Sequence, residues 1–176
     1  MIKKMLLATF LTLFAWADNY NEFLIETQLS LLPKIALLEK TALASKDVVD
    51  IIIVYNSEDE DAARYAVGFL DRKFQGKIGR YPMKISMTTF DKCCPPYRAS
   101  LVYCLNGRES QLSRVQAYAK HTKSVTAVYD TSNLKGDFLF SVALEKIPVI
   151  LMNKKALKDG QFDFPQTLYA IVRPVQ

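Results

Sequence analysis

The stretch Val48-Val-Asp-Ile-Ile-Ile-Val-Tyr55 constrains this chain more than any other. Apart from Asp50 and Tyr55 every residue in it is β-branched, and the apolar character runs on without alternation. That pattern fits a strand buried on both faces, as in a parallel sheet covered by helices above and below. Its flanks agree. Before it, Phe23, Leu24, Leu31, Leu32, Ile35 and Leu38 recur at helical spacing between Tyr20 and Lys40, with Pro33 expected to kink or divide the helix. After it, Ser57 is expected to cap a second helix whose first turn holds Glu58 to Asp61, where acids favour the positive end of the helix dipole. That helix runs through Ala63, Val67, Leu70 and Phe74 and should stop near Gly76.

Further along, Met83 to Phe90 alternates as a half-exposed strand, Asp91 to Arg98 reads as a loop, and Ser100 to Leu105 reads as a third strand closed by Asn106-Gly107. Leu112, Val115 and Ala119 mark a helix ending near His121, and Val125 to Tyr129 a fourth strand. Leu139 to Leu144 and Val149 to Met152 are close enough to form a hairpin across Glu145-Lys146, and a closing helix is expected within Pro165 to Val172. Strands that alternate with helices predict a single α/β domain: a doubly wound, mostly parallel sheet with helices on both faces and a C-terminal antiparallel hairpin. Ligands of such sheets sit beyond the carboxyl ends of the parallel strands. This points to Asn56 and Ser57 after the first strand, Asn106 after the third, and Asp130 and Ser132 after the fourth. Asp130 has a competing role as a turn cap bonded to Ser132 or Asn133.

The first 17 residues are set apart from the fold. Lys3 and Lys4 precede an apolar run from Met5 to Phe14, and Ala15-Trp16-Ala17 supplies a small-x-small cleavage site, the layout of a cleavable export signal. Its apolar part is shorter than the roughly 20 residues a spanning helix needs. Residues 18–176 are then the exported domain, expected in an oxidising compartment such as a periplasm. Without Lys3 and Lys4, 23 Lys and Arg against 18 acids become 21 against 18. The basic residues are scattered among acids with no aromatic interleaving, which argues against a nucleic-acid partner.

Signatures of common enzymes are missing: no GxSxG, Walker A loop, GxGxxG or HExxH occurs. His121 is the single histidine, best placed to offset a helix dipole, and neither a metal site nor a cofactor is expected. The run Glu58 to Asp61 reads as a solvated helix start, not a cation site. The three cysteines are the sharpest local feature. An oxidising compartment favours pairing, so a disulfide from Cys93 or Cys94 to Cys104 is expected, with the spare thiol inert, bridging a dimer or sensing oxidants.

Several segments carry a family resemblance. Ser124-Val-Thr-Ala-Val-Tyr-Asp130 followed by Gly136 and the strand Leu139 to Leu144, then Ile147-Pro-Val-Ile-Leu-Met-Asn-Lys-Lys-Ala-Leu157 with Gly160, resemble the YfiR-like family of periplasmic proteins. The opening Leu31-Leu-Pro-Lys-Ile35 and the Ile51 to Tyr55 strand extend the resemblance over nearly the whole exported part. Such membership implies a periplasmic α/β regulator, often a homodimer, that contacts the outer-facing part of an inner-membrane signalling protein such as a diguanylate cyclase, which makes cyclic-di-GMP, or a sensor kinase. No catalytic residue is implied. Two other readings compete with it: a periplasmic small-molecule binding protein with its ligand at the strand ends, and a thiol-active enzyme using Cys93 or Cys94.

Overall fold

The computed structural model describes residues 20–41 and 47–175. The proposed export signal lies outside the described residues. Helix α1 (Glu22–Ala36) comes first, then β1 (Val49–Tyr55), a 3-10 turn Ser57–Asp59, α2 (Glu60–Phe74), β2 (Lys77–Ile78) and β3 (Tyr81–Thr89). These are followed by β4 (Leu101–Cys104), α3 (Glu109–Thr122), β5 (Val125–Val128), β6 (Phe140–Leu144), β7 (Pro148–Asn153), α4 (Lys154–Asp159), α5 (Gln166–Tyr169) and β8 (Val172–Val175). The strands form one sheet in the order β2-β3-β1-β4-β5-β6-β7-β8. β3, β1, β4, β5 and β6 run parallel, β7 turns back antiparallel on β6, and β8 pairs parallel with β7. The expected α/β class, mostly parallel sheet and C-terminal hairpin are therefore the observed ones.

The β-branched run behaves as its composition requires: all seven residues of β1 are buried, and β1 lies inside the sheet between β3 and β4. One face is covered by α1 and α2, whose Ile25, Leu29, Leu32, Ala63, Ala66 and Leu70 pack on Ile51, Ile53 and Tyr103. The other is covered by α3 and the loops around it, through Leu112, Val115, Leu134 and Phe138 on Ile52, Val54 and Val102. From β1 the chain winds through α2 to β3, and from β4 through α3 to β5 in the opposite direction. The boundary between β1 and β4 is thus the point where the winding reverses, the place where such sheets open a crevice.

Several expectations need correction. Pro33 sits in the last turn of α1 and does not divide it, because the helix ends one turn later at Ala36. Ser57 is not the cap of α2. It begins the 3-10 turn, and α2 starts at Glu60 with Glu60 and Asp61 as its first-turn acids. The closing helix within 165–172 shrinks to the single turn of α5, and the chain then adds an eighth strand with Arg173 and Pro174 on an open sheet edge. The short elements β2 and α4 were too brief to leave a period in the sequence.

α1 replaces a crossover helix that the fold lacks. The connection from β5 to β6 contains only a 3-10 turn, Thr131–Asn133, so nothing from that segment covers β4 to β6 on the α2 side. α1 lies there instead, and its buried Gln28 reaches into the sheet. The Gln28 amide donates to the carbonyls of Tyr129 and Val142, each at 2.9 Å, and its Oε1 accepts from the Tyr103 hydroxyl at 2.5 Å.

Candidate functional site

At the carboxyl ends of β1 and β3 the start of α3 closes a polar crevice of about 170 Å3, walled by Asn56, Ser57 and Glu58 on one side and by Thr89, Asp91, Arg108 and Gln111 on the other. Its floor is fixed by the residues that end the strands. Asn56 donates from its amide to the Asn106 carbonyl at 2.8 Å and accepts from the Gln111 amide at 2.8 Å, while Gln111 Oε1 takes the Arg108 backbone N–H at 2.9 Å. Asn56 therefore spans the reversal point between β1 and β4. Gly107 is required beside it: a Cβ there would come within 2.7 Å of the Phe90 ring, which lies against the backbone at that position.

The tip of α1 closes the neighbouring strand ends. The Tyr20 hydroxyl accepts the Asn106 backbone N–H at 3.0 Å, and its ring packs on Tyr129 with centroids 4.9 Å apart. The Asn21 backbone N–H donates to the Tyr129 hydroxyl at 2.8 Å. Burial pushes the Tyr20 hydroxyl well above the usual phenol range, opposed by the Asn106 N–H and reinforced by the neighbouring Asp59 carboxylate. Burial also raises the Asp59 carboxyl, against the pull of its bonds to Tyr20 and Asn56. One connected network thus runs from Asp59 through Tyr20 and Asn106 to Asn56 and Gln111. Within it the Asn106 Oδ1 is buried and has no hydrogen-bond partner.

Of the residues singled out from sequence, Asn56, Ser57 and Asn106 come together here. Asp130 and Ser132 do not join them. Asp130 caps the turn after β5 by accepting the Ser132 N–H at 2.8 Å, and neither residue lines the crevice. Sequence reading missed Tyr20, Arg108 and Gln111, which lie outside the strand ends. It also missed Gln28, although a lone amide among Ile25, Leu29 and Leu32 on an apolar helix face was a visible signal.

The cysteines are arranged differently from the expectation. Cys93 is joined to Cys94, and Cys104 is a free thiol, fully buried. Cys93 and Cys94 follow the 3-10 turn Phe90–Lys92 beyond β3, and Cys93 packs against the same apolar cluster that holds Cys104 without bonding to it. Burial pushes the Cys104 thiol up, leaving it an inert core group among Ile52, Val54 and Val128. The loop carrying Cys93 and Cys94 is held at one end by Arg114, which donates to the carbonyls of Phe90 and Asp91, and at the other by the Tyr118 hydroxyl, which donates to the Tyr97 carbonyl at 2.6 Å.

Large apolar side chains are exposed at both ends of the sheet, Leu38 and Val48 at the other, and the three most exposed among the described residues lie at this one. Phe23 is 65% exposed in the first turn of α1, and Ile147 is 71% exposed in the turn after β6. Ile171, 63% exposed, precedes β8, and Leu144 ends β6. Strand directions place all four at the carboxyl end. α1 starts at the end of β5, β6 runs parallel to β5, and β8 runs opposite to β6 so that its first residue returns to that end.

No family model matches the chain, and no curated protein is similar to it. Solved structures are similar in fold. A conserved domain protein from Vibrio cholerae superposes with a TM-score of 0.59 at 14% identity, over 86% of this chain and 60% of that one. An ABC domain from Streptococcus pneumoniae in complex with L-Trp gives 0.57 at 10% identity, over 86% and 62%. The ligand-free, open structure of a substrate-binding protein with adhesive properties from Clostridium difficile gives 0.58 at 12% identity, over 86% and 59%. The chain spans about three fifths of the length of each, and what it shares with them is the α/β fold.

Proposed function

We propose that this is an exported regulatory binding protein of the YfiR-like kind, which acts without catalysis by contacting the outer-facing part of an inner-membrane signalling protein, a diguanylate cyclase or a sensor kinase. The observation that carries this reading is that the three most exposed large apolar side chains among the described residues, Phe23, Ile147 and Ile171, lie at the carboxyl end of the sheet, with Leu144 at the same end. Strongly exposed apolar side chains at one end of a fold favour a surface that another protein covers. Beside them the crevice is bridged by the chain's own Asn56, Gln111 and Tyr20, which favours recognition by surface contact over enclosure of a solute. A regulator of this kind shifts its target only by as much as it prefers one of the target's states.

The test is capture of the protein with its own inner membranes, comparing wild type with an Ile147→Asp/Ile171→Asp variant. Recovery of a membrane cyclase or kinase by the wild type and its loss in the variant is expected. Equal recovery by both would remove the apolar end from the reading.

A second reading, a periplasmic small-molecule binding protein, is favoured by one observation: the unpartnered Asn106 Oδ1 behind a crevice that also offers Arg108. It requires that some metabolite raise the melting temperature, and that Arg108→Gln abolish the shift. A metabolite screen without any such shift would end it.

A further inference from the structure

The opposite end of the molecule carries a different surface. α3 ends in Lys120 and Lys123, and α4 contributes Lys154, Lys155 and Lys158, all exposed. These two helices are neighbours: Lys123 Nζ donates to Gln161 Oε1 at 3.5 Å, and one shallow depression is lined by Lys120 and Lys123 together with Asp137, Asp159 and Phe162. Asp159 is bonded to Lys155 at 2.7 Å, and its carboxyl is held low by Lys155 first and then by Lys120 and Lys158, so lysines of both helices converge on it. Asp137 and Asp159 are the acids that line the depression. Across the end of α3 and α4 five lysines thus stand against Asp159 and the neighbouring Asp137, and the nearby Asp163 is matched by Lys40, which leaves a positive excess.

We propose that this lysine patch is a peripheral membrane site that binds anionic phospholipid headgroups. The depression holds only about 20 Å3, too little to enclose a discrete anion, and the Asp159 carboxylate is part of its lining. Flexible, strongly hydrated lysines match a flat and mobile array of phosphates better than the fixed contours of a folded protein. Juxtamembrane basic residues of this kind attract an anionic leaflet. No helix among the described residues is long and apolar enough to cross a bilayer, so attachment through this patch is electrostatic. The geometry also sets an orientation. The six residues of β7 join Ile147 to Lys154 and span about 20 Å, so lipid bound at the lysine end leaves Ile147 standing roughly that far from the surface. The proposal does not depend on which protein meets that far end.

Sedimentation of the purified protein with vesicles of mixed phosphatidylglycerol and phosphatidylcholine, against vesicles of phosphatidylcholine alone, tests it. Binding to the anionic vesicles and its release by high salt are expected. The variant Lys120→Gln/Lys123→Gln/Lys154→Gln/Lys158→Gln keeps the Lys155–Asp159 pair. It should bind several hundredfold more weakly, at about fivefold per lysine, with an unchanged melting curve. A control, Lys92→Gln/Lys146→Gln at the other end, should bind as wild type. No binding to anionic vesicles, equal binding to both kinds, or binding untouched by the four substitutions would overturn the proposal.

Discussion

The two junctions on either side of the β4–β5 pair are built on different principles. Between β1 and β4 four residue pairs are in register, Ile51↔Leu101 through Val54↔Cys104, and apolar side chains pack on both faces. Between β5 and β6 one pair is in register, Ala127↔Phe140. What joins that seam is a set of buried polar side chains. Thr126 Oγ1 donates to the Asp137 carbonyl at 3.1 Å and accepts the Leu139 N–H at 2.9 Å, and Ser141 Oγ donates to the Val128 carbonyl at 2.8 Å. Gln28 adds its bonds to Tyr129 and Val142 from the α1 side. A backbone ladder tolerates any side chain of suitable shape, whereas a stitched seam depends on particular polar atoms. Losing one of them leaves a buried partner unsatisfied.

That contrast can be broken most decisively at Gln28. Gln28→Leu strands two carbonyls and the Tyr103 hydroxyl in the core and should cost about 4 kcal/mol in urea denaturation, since each unsatisfied buried group costs ~1–3 kcal/mol. A loss under about 1 kcal/mol would mean that the seam does not need its amide. Thr126→Val keeps shape but strands the Leu139 N–H, and about 2 kcal/mol should be lost in the same measurement. On the ladder side, Ile52→Val removes a single methylene and should cost only about 1 kcal/mol. If Ile52→Val proved more damaging than Thr126→Val, the contrast between the junctions would fail.

The smallest effect concerns how α1 is held against α2. The Tyr65 hydroxyl donates to Glu26 at 2.7 Å, and that bond, then desolvation and the charges of Glu22 and Glu26, push its pKa from 10.0 up to about 12. A group raised in the folded state contributes its full stability below the unfolded value and loses it as pH rises through the folded one. The Tyr65 contribution is thus complete below pH 10 and gone above about 12. A Tyr65→Phe variant should lose stability slightly at neutral pH and then fall less steeply than wild type across that window.

The same contrast explains what was legible in the sequence. β1, β4 and β5 announced themselves because their burial is a property of consecutive residues, VDIIIVY, LVYC and VTAV, and the fold class follows from them. β8 was hidden by its exposed Arg173 and Pro174, and α4 by having less than two turns. The crevice was half visible. Asn56, Ser57 and Asn106 follow strands and could be placed by the rule for parallel sheets, whereas Tyr20 and Gln111 enter from helices whose docking no local pattern specifies. The cysteine pairing failed for a related reason. Cys104 lies within β4, whereas Cys93 and Cys94 lie in the loop beyond β3, and no local pattern shows which thiols such a loop brings together.

Gln28 belongs to the first element of the chain, yet its partners lie 75, 101 and 114 residues further on. The bonds of Gln28 therefore cannot form until β4, β5 and β6 exist, although α1 also packs on α2 and β1, so its docking is completed only late in synthesis. Loop closure over such separations is slow relative to the local pairing of β1, α2 and β3. The expectation is that α1 docks after the rate-limiting step, so that Gln28→Leu accelerates unfolding in stopped-flow experiments while leaving the folding rate nearly unchanged. A variant that slowed folding instead would place α1 inside the nucleus. With late docking, a freshly made chain passes through a stage with the ends of β4 and β5 unroofed, during which it is most open to a chaperone or to a second copy of itself.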